Sequence, residues 1–256
     1  MDIERRRTLT VLGSGIAAGL MGPALLRCTP NPATDSSEQG NQVPLPYVEL
    51  DPTHVGELAY RNFYHGDCMY GVFASLVEAL AEKVGEPFAS YPTAVTRYGA
   101  GGVMGWGTLC GAANGAAMAI YLVSKSPAQA ISEVFGFYEQ EALPNFAPAE
   151  PKFRVASSVA GSTLCHVSIS NWCDASGFKS YSAERADRCA QLVASVAMHT
   201  AEVLNSQADG TFNAVHKLSG ATIACRGCHD AGGVLENSRG MMDCEGCHFT
   251  QVGSHP

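Results

Sequence analysis

Two short segments near the end of the chain carry cysteine and histidine at a spacing that binds haem covalently. The segments are Cys225-Arg-Gly-Cys228-His229 and Cys244-Glu-Gly-Cys247-His248. In each, two thiols three residues apart can form thioethers to the two vinyl groups of one haem, and the adjacent histidine can ligate the iron. The spacing predicts two haem c groups per chain. Their thioether ligands are Cys225, Cys228, Cys244 and Cys247, and their proximal ligands are His229 and His248.

The same cysteine spacing is also compatible with zinc. Two Cys-x-x-Cys pairs separated by 15 residues resemble a zinc ribbon, in which four thiolates bind one ion. A zinc site needs no histidine directly after each pair, and four thiolates would leave His229 and His248 without a role. Haem is therefore the favoured interpretation, and a structural zinc module without haem is the alternative.

Each haem iron has a sixth coordination position, for which the sequence offers several candidates. His216 lies 13 residues before His229 in the same tail and is the first choice for a distal ligand. The other distal ligand is left open among His54, His65, His166, His199 and His255. Met241 and Met242 lie between the two motifs, although adjacent methionines more often serve packing. Bis-histidine ligation would suit electron transfer, whereas an open position would permit catalysis.

Five further cysteines lie in the body of the chain, namely Cys68, Cys110, Cys165, Cys173 and Cys189. Cys110 follows a glycine-rich loop, residues 99–107, at the predicted first turn of a helix. The helix dipole and free amide groups there stabilise a thiolate, which is a good metal ligand. The glycines would allow backbone amides to approach cluster sulfurs. Disulfides are the alternative for an exported protein, although five is an odd number.

The order of these cysteines resembles that of a known redox-active family, named for its C–GCAxxG–C–C pattern. The matching positions are Cys68, the run Cys110-Gly111-Ala112-Ala113-Asn114-Gly115, then Cys165 or Cys173, and Cys189. This chain departs from the pattern at Leu109-Cys110-Gly111, where the family name has Gly-Cys-Ala. With the two C-terminal motifs added, the mature chain is similar to the split-Soret cytochromes c of anaerobic bacteria.

The resemblance implies cofactors and an assembly state that spacing alone does not give. It implies an iron–sulfur cluster in the helical body, held by four of the five body cysteines, with Cys165 and Cys173 competing for one position. It also implies a homodimer with two stacked c-type haems per subunit. Both haems would be bis-histidine ligated, with an axial histidine donated by the partner subunit.

The composition limits the class of protein. The chain has 256 residues, of which 46% are hydrophobic and 16% are charged, and this excludes a disordered chain and a polytopic membrane protein. The formal net charge is −8, and no run of Lys and Arg marks a nucleic-acid-binding surface, so no nucleic-acid partner is expected.

Residues 1–28 are predicted to be an export signal. Arg6-Arg7-Thr8-Leu9 resembles a twin-arginine signal and precedes an apolar stretch that ends at Leu26. Cys28 would be removed with it, although the stretch is also long enough to remain as a membrane anchor. The signal predicts a periplasmic protein without a membrane span in the mature chain. Its removal leaves a net charge of −10, which favours basic redox partners.

Helical periodicity predicts the elements that position these residues. A first predicted helix begins at Pro52, after Asp51. Further helices are predicted over 68–83, 91–98, 108–123, 127–142 and 184–205, with Thr108 as the cap of the helix that ends at 123 and Ser182 as the cap of the last one. Strong strand alternation is absent. The prediction is an all-α fold in which a tether (29–47) precedes a cysteine-rich helical body (48–206) and a short, haem-packed, mostly irregular segment (207–256). This last segment has few large apolar side chains, so a cofactor must supply its core.

These patterns together predict a periplasmic dihaem c-type cytochrome with an additional iron–sulfur centre. Such a protein would transfer electrons between redox partners and would not itself be an enzyme. The alternative is a haem-dependent oxidoreductase that acts on a small oxyanion or peroxide at an open sixth position.

Overall fold

The structure, a computed structural model, describes residues 43–252, with side chains as far as residue 248. The predicted export signal (1–28), Cys28, most of the predicted tether and His255 lie outside the described residues. The described part is mostly helical, which confirms the all-α class.

The longest helix, α1, spans Pro52–Val84 and changes direction in the middle. Asp51 caps it, because its carboxylate accepts hydrogen bonds from the amides of Thr53 and His54. The backbone leaves the helical conformation at Gly66 and Asp67. The two helices predicted here are therefore the two halves of one kinked helix. The second half begins beside Cys68.

The second long helix, α5, spans Ala183–Asp209 and makes the most extensive packing contact with α1. Ser182 caps it as predicted, accepting a hydrogen bond from the amide of Arg185. The two helices approach closely because Gly71 of α1 has no side chain, and a Cβ atom there would lie 2.6 Å from Val193. This pair of helices forms the centre of the hydrophobic core.

Three shorter elements complete the first part of the helical body. A 3₁₀ helix covers Thr93–Gly99, α2 covers Gly111–Val123 and α3 covers Pro127–Gln140. The prediction that Thr108 caps α2 is wrong, because the cap residue is Cys110 and the helix begins at Gly111. Leu109 pairs with Leu164 in an isolated antiparallel bridge, and the helix begins only after that pairing ends.

The sequence does not predict the next elements. Helix α4 spans Cys165–Ser176 and contains few large apolar residues, so hydrophobic periodicity is too weak to reveal it. Strands β1 (Ala142–Leu143) and β2 (Ser158–Val159) form a two-residue antiparallel ladder. This ladder closes the proline-rich connector between α3 and α4.

The C-terminal segment contains two short helices, α6 over Gly220–His229 and α7 over Glu245–Val252. Thr222 is the one buried residue that the structure describes between positions 213 and 248. This segment therefore has almost no hydrophobic core of its own. Across residues 43–252, no helix is both long enough and apolar enough to cross a bilayer.

Candidate redox centres

Four of the five body cysteines converge in the interior of the helical body. Cys68 follows the kink of α1, Cys110 precedes α2, Cys165 begins α4 and Cys189 lies on α5. Each is at most 7% exposed, and none of them forms a disulfide. We refer to these four residues as the cysteine cluster. Four elements from distant parts of the chain thus each contribute one thiol.

A local backbone pairing places Cys110 beside Cys165. Leu109 and Leu164, the residues just before them, form the antiparallel bridge. The amide of Cys110 donates to the carbonyl of Thr163 at 2.9 Å, and the amide of Cys165 donates to the carbonyl of Thr108 at 2.7 Å. Both cysteines are therefore fixed at the start of their helices by hydrogen bonds between the two segments.

Glycine allows the backbone to pass close to these thiols. A Cβ atom on Gly111 would lie 2.6 Å from the carbonyl oxygen of Gly99 and 2.9 Å from the Cβ atom of Cys68. Gly102 has a φ of 67°, and a Cβ atom there would lie 2.9 Å from the Cβ atom of Cys165. The glycine-rich loop therefore packs directly on the cysteine cluster.

Several amides of the loop donate hydrogen bonds within the loop itself. The amides of Met104 and Gly107 donate to carbonyls of Tyr98 and Gly101. The amide that does bond to a cluster sulfur belongs to Ala112, in the first turn of α2, and its acceptor is Cys110. The loop therefore packs closely on the cysteine cluster, and the first turn of α2 donates the hydrogen bond to the sulfur of Cys110.

The four thiols interact in two hydrogen-bonded pairs. The bond from Cys165 lowers the pKa of Cys110 against the opposing effect of burial. The bond from Cys68 likewise lowers the pKa of Cys189, assisted by the nearby Arg188 and Arg185 guanidinium groups. Because they donate and are themselves buried, Cys68 and Cys165 have raised pKa values. One member of each pair is thus poised as a thiolate.

Buried donors beside the cysteine cluster lack acceptors. Arg188 is 1% exposed, and its Nη1 atom donates to the hydroxyl of Ser168 at 3.1 Å. Its Nε and Nη2 atoms have no hydrogen-bond partner among the described residues. The buried hydroxyl of Tyr138 lies close enough to Cys110 to lower the pKa of that thiol. A sulfide-bearing cluster would supply acceptors, and four thiolates are the ligands that such a cluster prefers. The residues present therefore fit an iron–sulfur centre.

Cys173, the fifth body cysteine, lies apart from the cysteine cluster. It is on α4, eight residues after Cys165, and is partly exposed. A helical rise of about 1.5 Å per residue separates the two along the axis by about 12 Å. The structure therefore brings Cys165, and not Cys173, to the other three thiols.

The two Cys-x-x-Cys-His motifs line a single groove of about 460 Å³, which we call the C-terminal groove. Its lining includes Cys225, His229, Cys244, Cys247 and His248. Cys225 and Cys244 are in hydrogen-bond contact across it. Each motif has its two cysteines and its histidine on one short helix or at its start, which fits covalent haem attachment.

One proximal histidine is oriented by a neighbour. The Nδ1 atom of His229 lies 2.7 Å from the Oδ1 atom of Asn237, which can only accept a hydrogen bond. This contact places the proton on Nδ1, so Nε2 is the ring nitrogen that would ligate a haem iron. No sequence pattern points to Asn237 in this role.

The second motif is attached to the helical body near the cysteine cluster. The hydroxyls of Ser162 and Thr163 donate to the Sδ atom of Met242 at 3.1 and 3.5 Å, and the amide of Asp243 donates to Glu139 at 3.0 Å. Met242 thus packs on the segment that leads into Cys165. It also lines the C-terminal groove.

The other candidate distal ligands are placed elsewhere. His216 lies 2.7 Å from Glu133 and 3.3 Å from Glu141, so both of its ring nitrogens face carboxylates. His54 pairs with Glu82, and His199 lies 3.2 Å from Glu202. His65 and His166 are exposed. None of these five described histidines lines the C-terminal groove.

Sequence comparison agrees with this arrangement. The chain belongs to the family described as "Putative redox-active protein (C_GCAxxG_C_C)", which matches residues 70–203. That range contains Cys110, Cys165 and Cys189 of the cysteine cluster, and Cys68 lies two residues before its start.

A curated relative matches almost the whole chain. The split-Soret cytochrome c of Desulfovibrio desulfuricans is 31% identical over 265 residues, covering 97% of this chain and 95% of that protein. A solved structure of the split-Soret cytochrome c from this bacterium, described as having a novel iron centre, superimposes with a TM-score of 0.76 at 32% identity. The match covers 83% of this chain and 92% of the solved one.

Proposed function

We propose that this protein is a cytochrome of the electron-transfer type, with two covalently bound haems and an iron–sulfur cluster in each chain. The observation that carries the proposal is the C-terminal groove, which is lined by five of the six cysteines and histidines of the two motifs, all except the exposed Cys228. Membership in a redox-active family and similarity to a cytochrome c with an iron centre support it.

The residues of this chain have separate tasks in the proposal. Cys225, Cys228, Cys244 and Cys247 anchor the haems, and His229 and His248 are their proximal ligands. The cysteine cluster holds the iron–sulfur centre, and the guanidinium groups of Arg185 and Arg188 offset its negative charge. When bound, these groups supply one-electron redox chemistry.

A short connection between the two centres supports electron transfer inside one subunit. Met242 contacts Ser162, which precedes Cys165 by three residues. Three residues span at most about 11 Å of chain. The second haem motif and the cysteine cluster are therefore linked by few covalent bonds and one side-chain contact.

The proposal includes a homodimer in the periplasm. Because no other described histidine lines the C-terminal groove, the distal ligands are assigned to histidines of the partner subunit, and the exposed His65 and His166 are available for that role. The signal-like residues 1–28 support export by the twin-arginine route, and the net charge favours basic redox partners.

Cofactor counting tests the proposal on the purified protein. A pyridine haemochrome assay should give two haems per chain, and iron analysis with acid-labile sulfide should give additional non-haem iron. EPR of the oxidised protein should show low-spin ferric haem, and reduction, which makes these haems EPR-silent, should leave a separate cluster signal. A colourless protein with zinc bound at the tail would contradict the proposal.

Binding of carbon monoxide separates electron transfer from catalysis at haem. If both sixth positions are closed by histidine, the reduced protein will bind little carbon monoxide. Prompt binding at one equivalent per haem would instead favour the oxidoreductase that acts on a small oxyanion or peroxide.

A further inference from the structure

Three side chains of the metal-ligating type converge away from both candidate redox centres. They are Glu133 on α3, His199 on α5 and His216 in the segment between α5 and α6. One ligand atom from each lies within 4.8 Å of the others, and the side chain of Glu133 is only 4% exposed. A carboxylate is costly to bury, so the burial of Glu133 in contact with two imidazole rings requires a positive charge that compensates it.

The inward-facing atoms of this group are all electron-pair donors. Glu133 Oε1 lies 2.7 Å from Nδ1 of His216 and 3.9 Å from Nε2 of His199. The Nε2 atom of His199 is buried and has no hydrogen-bond partner among the described residues. A buried nitrogen without a partner next to a carboxylate is costly unless a cation or proton lies between them.

The outward-facing nitrogens of both rings are next to further carboxylates. Nδ1 of His199 lies 3.2 Å from Glu202, and Nε2 of His216 lies 3.3 Å from Glu141. These carboxylates can accept the ring N–H of His199 and His216. In that tautomer the lone pair of each ring points inward toward Glu133, and a bound cation would replace the proton between His216 and Glu133. Carboxylate–histidine–metal arrangements in metalloproteins have this order.

The surrounding structure fixes the three ligands. The second oxygen of Glu133 accepts the amides of Val215 and His216 at 2.8 and 3.0 Å, which orients the carboxylate. Phe137 stacks on the His199 ring, with 3.9 Å between ring centroids. Gly136 admits His216, since a Cβ atom at that position would lie 2.5 Å from the Cβ atom of His216. These contacts place the ligands before any ion binds.

We infer that Glu133, His199 and His216 form a binding site for a divalent transition-metal ion of the Zn²⁺ type, with water completing the coordination. Two imidazoles and one carboxylate are a preferred ligand set for this class. Ligand atoms about 2.0–2.1 Å from a tetrahedral ion lie about 3.3 Å apart, so small side-chain rotations suffice. The ion also offsets the negative charge of Glu133, Glu141 and Glu202.

The site would fasten the start of the C-terminal segment to the helical body. His216 lies four residues before α6, which carries the first Cys-x-x-Cys-His motif. The other two ligands belong to α3 and α5. A bound ion would therefore set the direction in which the chain enters the C-terminal groove, whatever cofactor that groove holds.

Zinc binding to the purified holoprotein tests this inference. The protein is stripped with a chelator, equilibrated with Zn²⁺ and analysed for bound zinc, for wild type and for His199→Gln, Glu133→Gln and the control His54→Gln. Wild type and His54→Gln should bind one zinc per chain, and the two site variants should bind at least tenfold more weakly. Glu202→Gln, at a half-exposed position, should weaken binding by about tenfold without risk to folding.

X-ray absorption at the zinc edge identifies the ligands. At the proposed site, nitrogen and oxygen ligands should lie about 2.0–2.1 Å from zinc, with scattering typical of imidazole. Sulfur ligands about 2.3 Å from zinc would show that the ion had entered the cysteine cluster. Equal zinc binding in wild type and His199→Gln would overturn the inference. So would loss of the low-spin haem spectrum in His216→Gln, since this would assign His216 to haem. Haem and non-haem iron counted in the same samples test the proposed function separately.

Discussion

Cys165 is the residue whose position decides the composition of the cysteine cluster. Its thiol bonds to Cys110, and its amide is held by the carbonyl of Thr108. Cys173 has neither contact and lies about two helical turns further along α4. Substitution of the two cysteines should therefore have different effects on bound iron.

Cys165→Ser should lose most of the non-haem iron and acid-labile sulfide, because one of four ligands is removed. Cys173→Ser should keep both at the wild-type level, and it is the matched control because it lies on the same helix. The measurement is iron and sulfide per chain, with haem content as an internal reference. Equal loss in both variants would place Cys173 in the cluster.

Individual residues differ in how far the sequence can predict them. The haem-attachment residues are contiguous, so their spacing alone predicts their chemistry. Glu133 and the buried donors Tyr138 and Arg188 were missed, since each contacts residues that lie far away in the chain. The one sequence signal for Arg188 is its position directly before Cys189, which belongs to the apolar stripe of α5.

Between elements, a buried carboxylate connects α1, α5 and the connector that precedes α4. Asp187 of α5 accepts hydrogen bonds from the hydroxyls of Tyr60 and Tyr64, both at 2.5 Å, and from Phe153 and Gln191, both at 2.8 Å. It is 1% exposed. Burial raises the pKa of this carboxyl, but these four bonds outweigh burial and lower it below its usual range.

Asp187→Asn should destabilise the protein by about 2–4 kcal/mol at pH 7, because an amide N–H₂ would face donors in the interior. Denaturation by guanidinium chloride, followed by far-UV circular dichroism, measures this loss. The exposed Asp174→Asn is the control and should change stability by less than about 0.5 kcal/mol.

The same pair of variants has a defined pH dependence. Because the folded-state pKa of Asp187 is lowered, its contribution is complete above the unfolded value of about 3.9 and is lost as the pH falls through the folded value. The difference between wild type and Asp187→Asn should stay constant from pH 7 to about 5 and shrink below about 4. A difference that grew on acidification would contradict this role.

The predicted elements agree with the structure where their signals are local. The caps at Asp51 and Ser182 and the apolar stripe of α5 are such signals. The start of α2 was predicted too early, because the pairing of Leu109 with Leu164 joins residues that are distant in sequence. Helix α4 has no apolar periodicity to show it.

For the whole molecule, the contrast between the helical body and the C-terminal segment is the main feature. The body has a continuous core centred on α1 and α5. In the described part of the segment after residue 212, Thr222 alone is buried. The sequence could predict this contrast, because the segment is poor in large apolar residues.

A variant in which Cys225, Cys228, Cys244 and Cys247 are all changed to alanine should lose the order of the C-terminal segment and keep the helical body. Without haem, the segment has too little buried apolar surface to fold. Limited proteolysis followed by mass spectrometry should show rapid cleavage after about residue 212 and a resistant fragment ending near α5.

The wild-type holoprotein, treated in the same way, is the control and should resist cleavage in the segment between α6 and the second motif. Equal resistance of the two proteins would mean that the segment is ordered without haem. Cleavage throughout the body of the alanine variant would mean that haem attachment stabilises the whole chain.

The four thiols of the cysteine cluster are contributed at intervals of 42, 55 and 24 residues along the chain. No short segment contains two of them, so an ion or cluster that binds all four closes three long loops at once. Synthesis must pass Cys189 before the full set of ligands exists. Any cofactor that needs all four thiols can therefore be inserted only late in synthesis, after the helices that carry these cysteines have come together.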